Sequence, residues 1–369
     1  MMTTLVPLAQ TKSKRVTLAD IAERAGVSVA TASVAITGRP SGNCRVSPAV
    51  AEKIRAVARE LHYRPNLQAR NLSTQRTRTI AVLIKRATWH NAAAYLSAAQ
   101  QTIRSLGYEE TIMLHPDDTL KSERDHLELC VERQVEGIIA TPLIDLEGKA
   151  NVELFNRVHQ QDKIPIVQLG LALEGCVAPS VTADEIGGVR QAVTLLHAMG
   201  HRRIAHCTIV GYDDPAPLNP FRPAHLRYRG YQLAMRELNL PEQVFAPPQR
   251  CTDVTMLYES AWTLSRSIAQ ANPRPTAVIA FSDFVGAGLI AGLIDQNVPV
   301  PDEISILSIG AQPFTKLLRP TMSTILQQSE KMGEVASTML MKMIDGAPGE
   351  STSLMPSLCL RESVREIAS

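Results

Sequence analysis

The sequence predicts an α/β protein in two parts, a small all-helical unit at the amino terminus and a large body of parallel sheets with crossover helices. Three observations predict it. Near the start, apolar residues recur at helical spacing between recognisable caps, and from Thr79 onward short apolar runs alternate with amphipathic stretches. Charge divides the same way. Residues 1–78 hold 13 Lys and Arg against 4 Asp and Glu, while the remainder holds 25 against 32. A basic head on an acidic body is the footprint of a polyanion-binding module, although a well-solvated helix pair has the same excess.

Composition bounds the rest. A chain of 369 residues with 45% hydrophobic and 20% charged side chains can bury one large core or two to three domains. The first fifteen residues, an expected flexible tail, carry Pro7 inside their apolar stretch and Lys12, Lys14 and Arg15 after it, the reverse of a signal peptide. No apolar run is long enough to span a membrane, so no membrane partner is expected. Cys44, Cys130, Cys176, Cys207, Cys251 and Cys359 are scattered, with no C-x-x-C and no histidine at metal-ligand spacing, which fits reduced thiols in a cytoplasmic protein.

The head elements follow in order. Thr17 and Asp20 form a T-x-x-D capping box, so a helix starts there; Leu18, Ile21, Ala22 and Ala25 give it an apolar face, and Gly26 ends it in a left-handed turn. Ser28 caps a second helix, Val29 to Thr37, whose expected exposed positions Ala30, Thr31, Ser33 and Thr37 are small or hydroxylated. Ser47 and Pro48 begin a third, running to Leu61 with Val50, Ile54, Val57 and Leu61 on one stripe. Three helices, the first two joined by a glycine turn in a basic segment, read as a helix-turn-helix DNA-binding unit; a generic three-helix bundle is the alternative from pattern alone.

The residues themselves go further. "VTLADIAERAGVSVATAS" and "LHYRPNLQARNLS" resemble the head and hinge of the lactose/galactose repressor family of bacterial transcription factors. The resemblance implies that Leu18 and Ser28 approach phosphates from helix starts and that Val29, Ala30 and Ser33 face base edges, with Thr17, Thr31, Thr37 and Tyr63 as further expected DNA contacts. It also shows two departures: Val34 stands where the family has a guanine-reading arginine, and Thr37 where asparagine is common. The loop "GRPSGNCRV" is longer than the family's commonest form, with Arg39 and Arg45 as replacement contacts. In the hinge, Asn66, Ala69, Arg70 and Leu72 match the segment that folds on specific DNA and wedges a leucine into the minor groove; read without the resemblance it is plain linker.

In the body, "TIAVLI", "TIMLH", "VEGIIATP", "IPIVQLG", "RRIAHCTIV", "TAVIAFSD" and "ISILSIG" are the expected strands, too many for one compact sheet. The expected division is a tail at 1–15, a helix-turn-helix domain at 16–63, a hinge at 64–78 and a body at 79–369. Within the body, lobe 1 is expected at about 79–179 and 311–325, and lobe 2 at about 180–310 and 326–360. The resemblance runs through to "LCLRES" and implies a periplasmic-binding-protein-like body of two doubly wound sheets with a small molecule between the lobes.

Effector candidates follow strand ends. Arg227 matches the family arginine that grips ligand, and is otherwise a surface helix arginine. Ser282 and Asp283 match the family's polar pair, in which the aspartate caps the next helix more often than it touches ligand. Trp89 and Asn91 either stack on and orient a ring or simply pack. Acidic residues common in the family's sugar binders are replaced by Gly170 and, in "SIGA", by Gly310, which puts a simple hexose in doubt.

Enzyme signatures are weak. Gly286, Gly288 and Gly292 follow a strand without the acidic partner of a dinucleotide site and read better as helix packing; no nucleophile elbow, P-loop or H-E-x-x-H occurs, and His197, His201 and His206 are read as structural. Neither cofactor nor metal is expected.

The reading is therefore a cytoplasmic, homodimeric regulator of transcription, with repression as the expected sign. Its partners are a double-stranded DNA operator and a small-molecule effector, and with no leucine-heptad tail after "LCL" no zipper tetramer is expected. The alternatives are an effector-independent regulator with a degenerate cleft and a solute-binding α/β protein whose head serves only assembly.

Overall fold

The computed structural model describes residues 16–37, 45–63, 76–84, 91–114, 117–220, 222–251 and 253–367. The chain forms two compact units, Met1–Arg76 and Thr77–Ser369.

In the first unit, α1 (Leu18–Ala25), α2 (Val29–Thr37) and α3 (Pro48–Glu60) start and stop where their local chemistry dictates. The Thr17 N–H and Oγ1–H both donate to Asp20 Oδ2 at 2.7 Å, and Gly26 ends α1 at φ 70°. Ser47 caps α3 with proline behind it. Ile21, Ala22 and Ala25 of α1, Ala32 and Ala35 of α2, and Ala51 and Ile54 of α3 make the core. Small residues dominate it, so the helices approach closely. Because α2 has no basic residue in its last turn, Arg55 of α3 supplies one, donating from Nε to the Ala35 carbonyl at 3.1 Å.

Among the described residues, the second unit contains two six-stranded sheets. The first has the order β11-β5-β4-β3-β1-β2, from β1 (Thr79–Ile84), β2 (Glu109–Leu114), β3 (Gly137–Ala140), β4 (Ile166–Leu169), β5 (Ser180–Ala183) and β11 (Thr352–Leu354), all parallel. The second has the order β12-β10-β9-β8-β6-β7, from β6 (Ile204–Cys207), β7 (Val244–Phe245), β8 (Ala277–Ala280), β9 (Ser305–Gly310), β10 (Ser323–Leu326) and β12 (Ser357–Cys359). Only β12 runs antiparallel to its neighbour. β1, β3, β4, β6 and β8 are apolar or nearly so along their length, because helices cover both faces.

Those helices pair off. On the first sheet, α4 (Asn91–Ser105) and α11 (Ser329–Ile344) share one apolar layer, and α5 (Leu120–Glu132) and α6 (Val152–Gln160) share the other. On the second, α7 (Glu185–Ala198) and α8 (Arg222–Glu237) cover one face, and α9 (Val254–Ala269) and α10 (Asp283–Asp295) cover the other. The α9–α10 contact explains the glycines of "FVGAGLIAGL". A Cβ at Gly288 would collide with the Tyr258 carbonyl, and one at Gly292 would lie 2.6 Å from the Trp262 carbonyl.

The expected lobe boundaries need correction. β5 pairs with β4, so the first sheet extends past residue 179 to Ala183; β10 pairs with β9, so residues 323–326 belong to the second sheet. Conversely α11 and β11 return to the first sheet, and only β12 of the final segment joins the second. The physical reason lies in the second crossing, which comes at Gln327–Gln328 rather than before β10. There Gln328 takes a left-handed turn at φ 54° and its side-chain amide is held by the Met355 carbonyl.

Candidate nucleic-acid interface and ligand cleft

In the head, the expected contact residues occupy the starts of α1 and α2 and the outer positions of α2. Thr17 is exposed and Leu18 half-buried. Ser28 Oγ accepts from the Thr31 N–H at 3.1 Å and is 2.8 Å from Thr31 Oγ1, so these two hydroxyl groups form one cap. Val29 is 50% exposed and Ala30 is exposed, whereas Ser33 is half-buried. Thr37 Oγ1 donates to the Ser33 carbonyl at 2.8 Å. Val34, at the position of the family's reading arginine, is buried at 9% exposure and offers no side chain outward. Arg45 is exposed and Tyr63 half-buried. Arg39, Asn66, Ala69, Arg70 and Leu72 lie outside the described residues, as does Trp89.

In the body, a cavity of about 190 Å³ lies between the two sheets' ends. Gly170, Arg227, Ser282, Asp283 and Gly310 all line it, joined by Tyr95, Glu185, Phe281, Phe284, Gln312, Gln327 and Met332. Gly170, Ser282, Asp283 and Gly310 stand at strand ends, whereas Arg227 lies within α8 and is matched through the family resemblance alone. Asn91 is the first residue of α4.

Arg227 is neither a surface arginine nor an open hand for a ligand. It is 7% exposed, and its Nε donates to Glu185 Oε2 at 2.8 Å and its Nη2 to Glu185 Oε1 at 3.0 Å. Nη1 donates to the Phe281 carbonyl at 2.6 Å, and the guanidinium lies 4.7 Å from the Phe281 ring centroid. Gln327 completes the group by donating from Nε2 to Glu185 Oε1 at 2.6 Å. Glu185 opens α7 at the first crossing between sheets and Gln327 ends the strand side of the second, so one carboxylate ties the arginine to both.

The Ser282–Asp283 pair also differs from expectation. Ser282 is the cap of α10, accepting from the Val285 N–H at 3.4 Å. Asp283 turns inward at 1% exposure, where its carboxylate accepts from Ser308 Oγ at 2.5 Å, Thr324 Oγ1 at 3.1 Å and the Gln312 N–H at 2.6 Å. Hydroxyls on β9 and β10 made that inward position the better one.

The two glycines have reasons of their own. At Gly310, φ 145°, a Cβ would lie 2.5 Å from Asp283 Oδ2; at Gly170, φ 81°, it would lie 3.3 Å from the Tyr95 hydroxyl. A side chain at either position would therefore meet Asp283 or Tyr95.

Behind the cleft, His206 is fully buried. Its Nδ1 is 3.0 Å from the Ile279 carbonyl, its Nε2 has no partner, and desolvation, with a smaller opposing effect of that carbonyl, pushes its pKa down to about 4. His201 is held between Thr276 Oγ1 and the Arg365 carbonyl. Both are structural. Among the described residues no cluster of His, Cys, Asp and Glu could hold a metal, no helix is long and apolar enough to cross a membrane, and Cys130, Cys176, Cys207, Cys251 and Cys359 are free thiols.

Comparison with known proteins agrees with both halves. Residues 17–66 match the family described as bacterial regulatory proteins, lacI family, and residues 193–364 match the periplasmic binding protein-like domain. Catabolite control protein A of Priestia megaterium is 27% identical over 332 residues, covering 89% of this chain and 93% of the relative. The HTH-type transcriptional repressor PurR of Photobacterium profundum is 24% identical over 353 residues, 95% of this chain and 99% of the relative. Among solved structures, the lac repressor dimer bound to operator and the anti-inducer ONPF superposes with a TM-score of 0.79 at 21% identity, over 95% of this chain and 100% of that one.

Proposed function

We propose, on the premise that this chain belongs to the lacI family of bacterial regulatory proteins, that it is a sequence-specific DNA-binding regulator of transcription whose affinity is set by a small molecule in the body's cleft. Repression is the sign that its relatives' names support. The observation that carries the reading is the head, a capped α1, a left-handed glycine turn and a capped α2, in a unit with a large excess of Lys and Arg.

The protein works as a homodimer on a double-stranded operator, since the hinge segment matched to Leu72 acts in pairs. Thr17, Leu18, Ser28, Arg45 and Tyr63 position it on phosphates, and Val29 and Ala30 face the bases. The effector sits against Arg227, Ser282 and the Gly170 and Gly310 turns, and biases the two lobes. Coupling between cleft and DNA of about 1–3 kcal/mol is reciprocal by linkage. We assign the chain no enzymatic activity and a cytoplasmic location.

DNA affinity as a function of salt tests the proposal. Several phosphate contacts give a steep negative log–log slope, about −0.9 for each phosphate neutralised. A flat line contradicts it, and favours a solute-binding protein whose head serves assembly.

A further inference from the structure

We infer that α2 reads its operator through the C5-methyl groups of thymine rather than through hydrogen bonds to base edges; the inference rests on the DNA-binding reading above. The helix is built only of Val, Ala, Thr, Ser and Ile, without one Arg, Lys, Asn, Gln, Asp or Glu. Bidentate readout of guanine or adenine needs the long polar side chains that are missing.

What α2 does offer is apolar. In helix-turn-helix docking the amino-terminal residues of the second helix reach the bases, and there Val29 is 50% exposed and Ala30 is exposed. The nearby hydroxyls are short and locally bonded, those of Ser28 and Thr31 to each other and that of Thr37 to the Ser33 carbonyl, and Ser33 itself is half-buried, so none offers the two-point contact of a long polar side chain. Val34 is buried, so no side chain compensates from that position.

The occupant of this small apolar surface is fixed by its surroundings. Met1–Arg76 holds 12 Lys and Arg against 4 Asp and Glu, a setting that draws a polyanion and discourages an apolar protein partner. In the major groove the one apolar feature of any base pair is the thymine methyl. An isopropyl group and a methyl group therefore select A·T pairs in the orientation that turns the thymine toward α2.

The test uses the whole chain and the duplex it selects from random sequence. Replacing each half-site thymine by uracil deletes only the methyl; each methyl that is read should cost about fourfold in affinity. Binding to a random duplex should not change. Val29→Ala, at a half-exposed position, should shrink the uracil penalty at one base pair. Equal affinity for the uracil duplex, selected half-sites without thymine, or an unchanged penalty in Val29→Ala would each overturn the inference while leaving the DNA-binding reading intact. Failure to select any duplex would overturn both.

Discussion

Glu185 holds Arg227 by two hydrogen bonds of 2.8 and 3.0 Å on the wall of the cleft, with their side chains 12% and 8% exposed. A buried pair of this kind contributes little against an apolar replacement, but removing one partner strands the other. Arg227→Ala should therefore cost about 3–5 kcal/mol in urea denaturation, and Glu185→Gln with Arg227→Met should recover much of it. An unchanged midpoint for Arg227→Ala would sink this account of the pair.

The same pair limits which effectors can bind. An anionic ligand competes with Glu185 for the Nε and Nη2 donors of Arg227. Acetate should raise the Tm of Glu185→Ala and leave the parent protein's Tm unchanged, because only the variant has those donors vacant. Equal stabilisation of both proteins would show that the carboxylate does not guard the arginine.

His206 should make the body sensitive to acid. Its folded pKa of about 4 lies below the ordinary 6.5, so the fold favours the neutral ring. That contribution is complete above pH 6.5 and is lost as pH falls toward 4, by up to about 3 kcal/mol. Urea midpoints between about pH 7 and pH 4.5 check it. In His206→Gln the slope should flatten, and an equally steep decline in that variant would point to other groups.

Gly288→Ala should destabilise the body by about 1–3 kcal/mol, because the new methyl meets the Tyr258 carbonyl between α9 and α10. The loss should be equal with and without nicotinamide dinucleotides. A dinucleotide that stabilises the parent but not the variant would revive the cofactor reading of these glycines.

Much of the head was legible because its signals are local. Thr17 with Asp20, Gly26, and Ser47 with Pro48 each act within one turn, and all three stand where the pattern put them. The cleft was legible through strand ends, which is how Gly170, Ser282 and Gly310 were found. Glu185 and Gln327 escaped because their place depends on where the chain crosses between sheets, and Tyr95 because it reaches the cleft from within α4 rather than from a strand end. β5 and β10, which define two crossings, read "SVTA" and "STIL"; short and hydroxyl-rich, they resemble loops in sequence. The hydroxyls turned out to be needed where β9 meets β10, since Ser308 and Thr324 hold Asp283.

The proposed function requires the basic head to discriminate among DNA sequences. The measurement is the affinity of the whole chain for its selected duplex against a scrambled one at physiological salt. A preference of about a thousandfold or more for the selected duplex is expected. Equal affinities for the two duplexes, with and without candidate metabolites, would contradict it.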